Sequence, residues 1–393
     1  MADRGRTGTV VGGGIGGLAA AISLRQAGWD VTVLERSAEG GEIGAGLTIM
    51  ANGQRALREL GLADAVRASA APQGGGGVRD RSGRWLARVD SAALERELGT
   101  SVVGIHREQL HRVLREALPA GTLVTGAEVL DVAAGPPASV TVVRDGKRHT
   151  LTADVVVGAD GIGSGVRRRL WPAHPGPAYT GVTAWRSVTA EQWPLDVVAA
   201  VTWGPGTEFG TVPLVDGRVY WFAAVAGAPV GHRFADEVGH LRTRFAGWHA
   251  PIPDLLAATE PGAVLRHDLQ HLAVPMPGYV TGAVALLGDA AHAMTPNLGQ
   301  GAAQALEDAV VLGRAVARYA GDVPAALAAY DRTRRPRSQA VARASRWSGR
   351  LGHEVRSAPL VAVRDLLVRA TPARAALTSL ARFAHWAPEL VEA

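Results

Sequence analysis

Four groups of residues in this 393-residue chain have the type and spacing to do chemistry. The first is Gly12-x-Gly14-x-x-Gly17, which follows an apolar run and opens an alanine-rich one. Gly12 permits a tight strand-to-helix turn, Gly14 lets a pyrophosphate approach the backbone, and Gly17 lets helix and strand pack closely. Ile15 and Gly16 belong to the same turn, and the helix N-terminus offers N–H groups and a positive dipole end to phosphate. The β-branched run that follows ends on Glu35 and Arg36, where a carboxylate can accept bonds from ribose hydroxyls. With 49 glycines a lone match would mean little; here strand, glycines, helix, strand and acid come in order. The second group is Asp160-Gly161, at the end of the apolar run 153–158. Asp160 either caps the helix that follows or holds a turn near a ligand. The third runs from Gly288-Asp289 through His292 and Pro296 to Gly299-Gln300-Gly301. Asp289 can accept a hydroxyl from a polyol chain. The helix starting near Gln300 aims its N–H groups at whatever precedes it, an arrangement that stabilises a developing anion. The fourth is Tyr220-Trp221-Phe222, with Arg186 upstream.

The elements that must position these groups follow from hydrophobic period and turn residues. A helix is expected over 15–27 and a strand over 31–35. Gly44-Ala45-Gly46 forms a small-residue loop before a helix at 52–60. Residues 78–88 read as a hairpin turning at Ser82-Gly83, and 105–114 as a helix. Strands are expected at 124–132 and 139–144, around the turn Asp145-Gly146, and at 153–158. From about Tyr179 the pattern becomes β-rich, with strands at 182–188, 197–203, 209–214 and 219–225. Period-two geometry puts Tyr220 and Phe222 on one face of the last strand and Trp221 on the other. A helix at 235–248 and strands at 265–269 and 283–287 follow. The tail after Gly301 reads as helical, broken at Pro324, Pro336, Pro359 and Pro372.

Composition narrows the chemistry. The chain has no cysteine, which removes disulfides, iron–sulfur clusters and thiolate nucleophiles. Its one lysine, Lys147, sits in a turn, so Schiff-base chemistry and Walker-type phosphate binding have no candidate. The net charge of +5 comes from dispersed arginines, which argues against nucleic acid as partner. The densest arginine cluster, 332–337, reads as a solvated helix end. No apolar run is long enough to span a bilayer and no signal-peptide pattern is visible, so a cytoplasmic protein is expected. No metal site is indicated.

Together, the glycine fingerprint, the Asp160-Gly161 segment and the Gly288-Asp289 segment resemble those of class A flavoprotein aromatic monooxygenases. This family includes para-hydroxybenzoate and salicylate hydroxylases. Residues 179–186 and Tyr220-Trp221-Phe222 resemble its salicylate- and urate-hydroxylase-like branch. The resemblance implies an α/β fold: a Rossmann-like FAD-binding domain (1–75, 100–175 and 276–335), an inserted β-sheet substrate domain (76–99 and 176–275) and C-terminal helices (336–393). It implies non-covalent FAD, transient NAD(P)H, and O2 captured as a flavin C4a-hydroperoxide that hydroxylates or epoxidises an aromatic small molecule. Cofactor contacts carried over by resemblance are Arg107, Val129, Asp160, Asp289, Pro296, Gly299, Gln300, Gly301 and the loop Gly44, Ala45, Gly46, which lets the flavin ring swing. Tyr220, Phe222 and Pro296 fall at the substrate. Tyr220, Arg186 and His292 are the candidates for a direct catalytic part, each with a plain structural alternative. Two other readings keep the same scaffold: a flavin-dependent reductase acting without oxygen, and a flavin-bound protein that holds a small molecule without turnover. A monomer or a homodimer fits the sequence equally.

Overall fold

The computed structural model describes residues 5–38, 45–194 and 196–390. The candidate loop residue Gly44 therefore lies outside the described residues. A six-stranded sheet runs in the order Val280–Thr281, Val284–Leu286, Val155–Gly158, Thr7–Val11, Asp30–Leu34, Leu123–Val124. All neighbours are parallel except the first pair. Such a sheet is covered on both faces, so its central strands are largely apolar; Val155, Val156 and Val157 are all fully buried. Helices Ile15–Gln26 and Gly301–Arg318 pack against each other over it. The strand Thr7–Val11 lies between Val155–Gly158 and Asp30–Leu34, so the strand order reverses at Thr7–Val11. The three motif loops leave the carboxyl ends of three adjacent strands, Thr7–Val11, Val155–Gly158 and Val284–Leu286, at the switch point where such sheets hold ligands.

The second large sheet has seven strands in the order Leu265–His271, Ala178–Val188, Val219–Ala226, Thr207–Pro213, Ala199–Gly204, Gly76–Asp80, Trp85–Val89. The early hairpin thus joins the later strands, through parallel pairing of Gly76–Asp80 with Ala199–Gly204. Alternation divides its faces. Trp185, Phe209 and Trp221 point to one side and pack with Leu241, Phe245 and Leu255 of the helices Glu237–Phe245 and Ile252–Ala257. Tyr220, Val212 and Phe222 point to the other and pack with Ala45. A small sheet of Gly46–Ile49, Val103–His106 and Ala70–Pro72 lies beside this face.

Three local expectations are corrected. Residues 105 and 106 are not helical: Val103–His106 is a strand, and the helix runs Arg107–Glu116. Val103 and Ile105 alternate into the core while pairing with Gly46–Ile49, and that pairing prevails over helical period. The run 124–132 is not one strand. It splits into Leu123–Val124 and Glu128–Ala133, in different sheets, with Gly126 at φ +66° between them. Pro336 does not break the tail, because it lies inside the 30-residue helix Val323–Gly352. A proline there costs about 3 kcal/mol. Buried ion pairs from its neighbours Arg334 and Arg337 hold the helix in place.

Candidate active site

The glycine loop contains two kinds of glycine. A Cβ on Gly12 would lie 2.4 Å from the Ala159 carbonyl, and φ there is +106°. A Cβ on Gly17 would lie 1.9 Å from the Gly12 carbonyl, and one on Gly16 2.7 Å from Leu287. Packing demands glycine at Gly12 and Gly17, where the clash is with backbone, and Gly16 is tight against a leucine side chain. Gly14 differs: its φ is −73°, and nothing lies within 4 Å of an added Cβ. The fold does not need glycine there, whereas a group lying on the backbone would. The helix Ile15–Gln26 also begins without a side-chain cap, leaving its first N–H groups for an anion. Both observations fit a bound pyrophosphate. Glu35 braces this loop, its Oε2 accepting from the Gly13 N–H at 2.7 Å and its Oε1 from Ser37 at 2.8 Å. His111, which the sequence reading did not single out, reaches the Gly13 carbonyl at 2.7 Å. Arg36 is exposed beside Glu35. Ala127 donates to the Glu35 carbonyl, which brings Val129 along the same edge.

Asp160 helps cap the helix Gly165–Leu170, whose N-cap residue is Ser164. Its carboxylate accepts from the Ser164 hydroxyl at 2.5 Å and from the Gly165 and Val166 N–H groups at 2.7 and 3.1 Å. Asp289 is exposed at the head of a short helical turn whose next three residues are buried. That turn is held from below. Asp308 Oδ2 accepts from the Gly288 N–H at 2.9 Å and lies 2.6 Å from His292 Nε2, while Arg334 Nε donates to Asp308 Oδ1 at 2.6 Å. Arg334 and Arg337 also bind Glu307, and Asn52 donates to both Glu307 and Gln300 at 2.7 Å. The arginine cluster 332–337 is therefore not a solvated helix end: Arg334 is fully buried, because Glu307 and Asp308 face it from the neighbouring helix. Burial alone would raise the Asp308 carboxyl; His292 and Arg334 outweigh it and hold the carboxyl below the usual range. His292 belongs to this buried network, beneath the Asp289 turn. Pro296 is exposed in the turn Pro296–Leu298, Gly299 adopts φ +62°, and the 18-residue helix Gly301–Arg318 starts without a side-chain cap.

The seven-stranded sheet faces these loops. Ala45 is buried against Tyr220, and Tyr220 and Phe222 have ring centroids 6.0 Å apart. Arg186 pairs with Phe222 across the strands and reaches His267 Nδ1 at 3.1 Å, a partner the sequence reading missed. Arg107 is bound through its N–H to the Ala45 carbonyl, and its side chain feels the charges of Asp289 and Arg186 and the Tyr220 phenol. Burial lowers the Arg107 guanidinium, with Asp289 opposing. Burial raises the Tyr220 phenol, opposed by Arg186 and Arg107. His267 is lowered by burial and then by Arg186 and Arg107. One aromatic wall and two arginines thus converge with Asp289. Among the described residues no group of His, Asp or Glu is arranged to hold a metal ion.

The chain belongs to the FAD binding domain family, whose model matches residues 7–345. It is 39% identical over 350 residues to the aurachin C monooxygenase/isomerase of Stigmatella aurantiaca, covering 88% of this chain and 90% of that one. It is 34% identical over 346 residues to the FAD-dependent urate hydroxylase of Mycolicibacterium vanbaalenii, with 84% of each covered. The fold matches Klebsiella pneumoniae HpxO, solved with FAD and uric acid, at a TM-score of 0.87 and 28% identity over 96% of both chains. The chain is accordingly an FAD-dependent monooxygenase of the class A type, as its motifs led one to expect.

Proposed function

We propose that the chain uses NAD(P)H and O2 to hydroxylate a planar, electron-rich aromatic molecule lying against Tyr220 and Phe222. The observation that carries this reading is the convergence of that aromatic wall, Arg186 and Arg107 with Asp289. FAD, when bound, supplies hydride acceptance and oxygen activation. The protein's part is binding, orientation and exclusion of water. Gly14 and the N–H groups of residues 15–17 would hold the pyrophosphate, Glu35 the ribose, and Asp289 the polyol chain. The uncapped start of Gly301–Arg318 would stabilise negative charge developing on a group placed before it. Tyr220, kept protonated by burial, donates a hydrogen bond to a substrate oxygen, and Arg186 meets an acidic or enolised group. Relatives named for urate and for aurachin C support the class but not one member of it. Epoxidation would use the same residues.

The test is NADH and NADPH oxidation by the FAD-loaded protein, with and without oxygen, over a panel of phenols, quinolones and purines. Oxygen-dependent oxidation with a product heavier by one oxygen atom is the expected result. Substrate-linked turnover that proceeds without oxygen would instead place the chain among flavin reductases.

A further inference from the structure

The helix Ala358–Ala370 faces the wrong way for a soluble surface. Its large apolar side chains point outward: Leu360 is 61% exposed, Val363 52%, Leu366 66% and Leu367 63%, whereas Arg364 is 3% exposed. At about 100° per residue these four apolar side chains cover an arc of roughly 120°, the width of stripe that a globular helix normally buries. The helix is pinned in this orientation. Arg364 donates to the Gly352 carbonyl and lies 5.4 Å over the Trp203 ring, and Arg369 pairs with Asp80 at 2.6 Å. The end of the preceding helix adds Trp347, 68% exposed, and Leu351 one turn later. Six of the eleven exposed large hydrophobic residues among the described residues thus fall between 347 and 367, while the other five are dispersed along the chain.

The exposed charge on this stretch of the chain is of one sign. Residues 336–393 hold nine arginines and four carboxylates, so the whole net charge of +5 resides there and 1–335 is neutral. Between residues 343 and 382 the exposed charged side chains are Arg343, Arg350, Arg356, Arg369, Arg374 and Arg382. The two carboxylates in that stretch, Glu354 and Asp365, are partly buried and paired with Arg346 and Arg364. An apolar helical stripe with a tryptophan and an arginine rim is the pattern of a helix lying in a bilayer interface. A second copy docked face to face would bring two arginine rims together.

We propose that this face, the helix Ala358–Ala370 with Trp347 and Leu351, rests on the surface of an anionic lipid bilayer. No helix among the described residues is long and apolar enough to cross a membrane, so the attachment is peripheral. It depends on both components, leucines in the acyl boundary and arginines on the headgroups.

The test is flotation of the full-length, FAD-loaded protein with phosphatidylcholine vesicles and with vesicles containing phosphatidylglycerol. Binding is expected only to the latter, weakening as salt rises. Leu360→Ser/Leu367→Ser should lower it about tenfold or more, by loss of apolar insertion. Arg350→Gln/Arg374→Gln should lower it toward the phosphatidylcholine level. Flavin absorbance and light scattering of each variant establish that it is folded and report its oligomeric state. Wild-type protein that stays with the dense fraction, or leucine variants that float like wild type, would overturn the proposal. So would a wild-type dimer that the leucine variants convert to monomer, since the face would then be occupied by a second copy.

Discussion

Gly46, the first residue of the strand Gly46–Ile49, touches Tyr220 of the seven-stranded sheet: a Cβ on Gly46 would lie 2.5 Å from the Tyr220 ring. The glycine is there for a partner more than 170 residues away, and the contact sets where the phenol sits. Gly46→Ala should push Tyr220 aside, cost about 1–3 kcal/mol of stability and reduce kcat/KM at least about tenfold. In a Tyr220→Ala background the same substitution should cost little. Denaturant titrations of the four proteins of that cycle give the coupling, and equal costs in both backgrounds would mean that the contact is not what matters.

The two kinds of glycine in the fingerprint should separate in experiment. Gly14→Ser places a capping hydroxyl at an uncapped helix start whose φ suits any residue. The FAD-free protein should gain about 0.5 kcal/mol, while FAD affinity falls by roughly tenfold or more because the N–H groups and the space above them are taken. Gly17→Ala forces a Cβ to 1.9 Å from a carbonyl oxygen and should cost about 3 kcal/mol or more whether or not FAD is present. Thermal melts with and without FAD distinguish the two. Loss of stability in Gly14→Ser without FAD would contradict this division.

What was legible in the sequence follows the range of the forces involved. The fingerprint, Asp160-Gly161 and Gly288-Asp289 lie within short windows, and so do the alternation that puts Tyr220 opposite Trp221 and the turns that divide the strands. The Arg186–His267 contact spans 81 residues, and the Asn52–Glu307 bond spans 255. No local pattern marks either. The arginines at 332–337 were misleading for the same reason: a run of like charge reads as solvated until the carboxylates of another helix are known to face it. Pro336 misled because its local cost is outweighed by contacts that only the folded chain makes. Asp160 shows the converse, a residue whose two readings share one sequence signature, and whose capping bonds are visible only in three dimensions.

Asp308 ties the Gly288 turn to the long helix Val323–Gly352 and is completely buried. Its carboxyl is held below the usual range, so it contributes stability that is present above the unfolded value of about 3.9 and is lost as pH falls through the folded value. Asp308→Asn should cost about 3–5 kcal/mol at neutral pH, by leaving Arg334 short of a partner, and the loss should shrink as the pH is lowered below about 4. Urea titrations from pH 7 down into the acid range would measure it. A constant difference across that range would show that Asp308 does not act through its charge.

Tyr220 and Arg186 carry the last prediction. Burial raises the Tyr220 phenol, so it stays protonated through neutral and mildly alkaline pH and can only donate to a substrate oxyanion or carbonyl. Removing that donor in Tyr220→Phe should raise KM about three- to tenfold with a smaller change in kcat, the value of one hydrogen bond. Arg186→Gln should raise KM further for acidic substrates than for neutral ones of the same shape, because the lost interaction is with charge. Neither substitution should alter the absorbance of bound FAD. If Tyr220→Phe lowers kcat and leaves KM unchanged, the phenol acts only in the transition state and is not a ground-state anchor. If Arg186→Gln affects acidic and neutral substrates alike, Arg186 serves to place Tyr220 and His267 and does not meet the substrate.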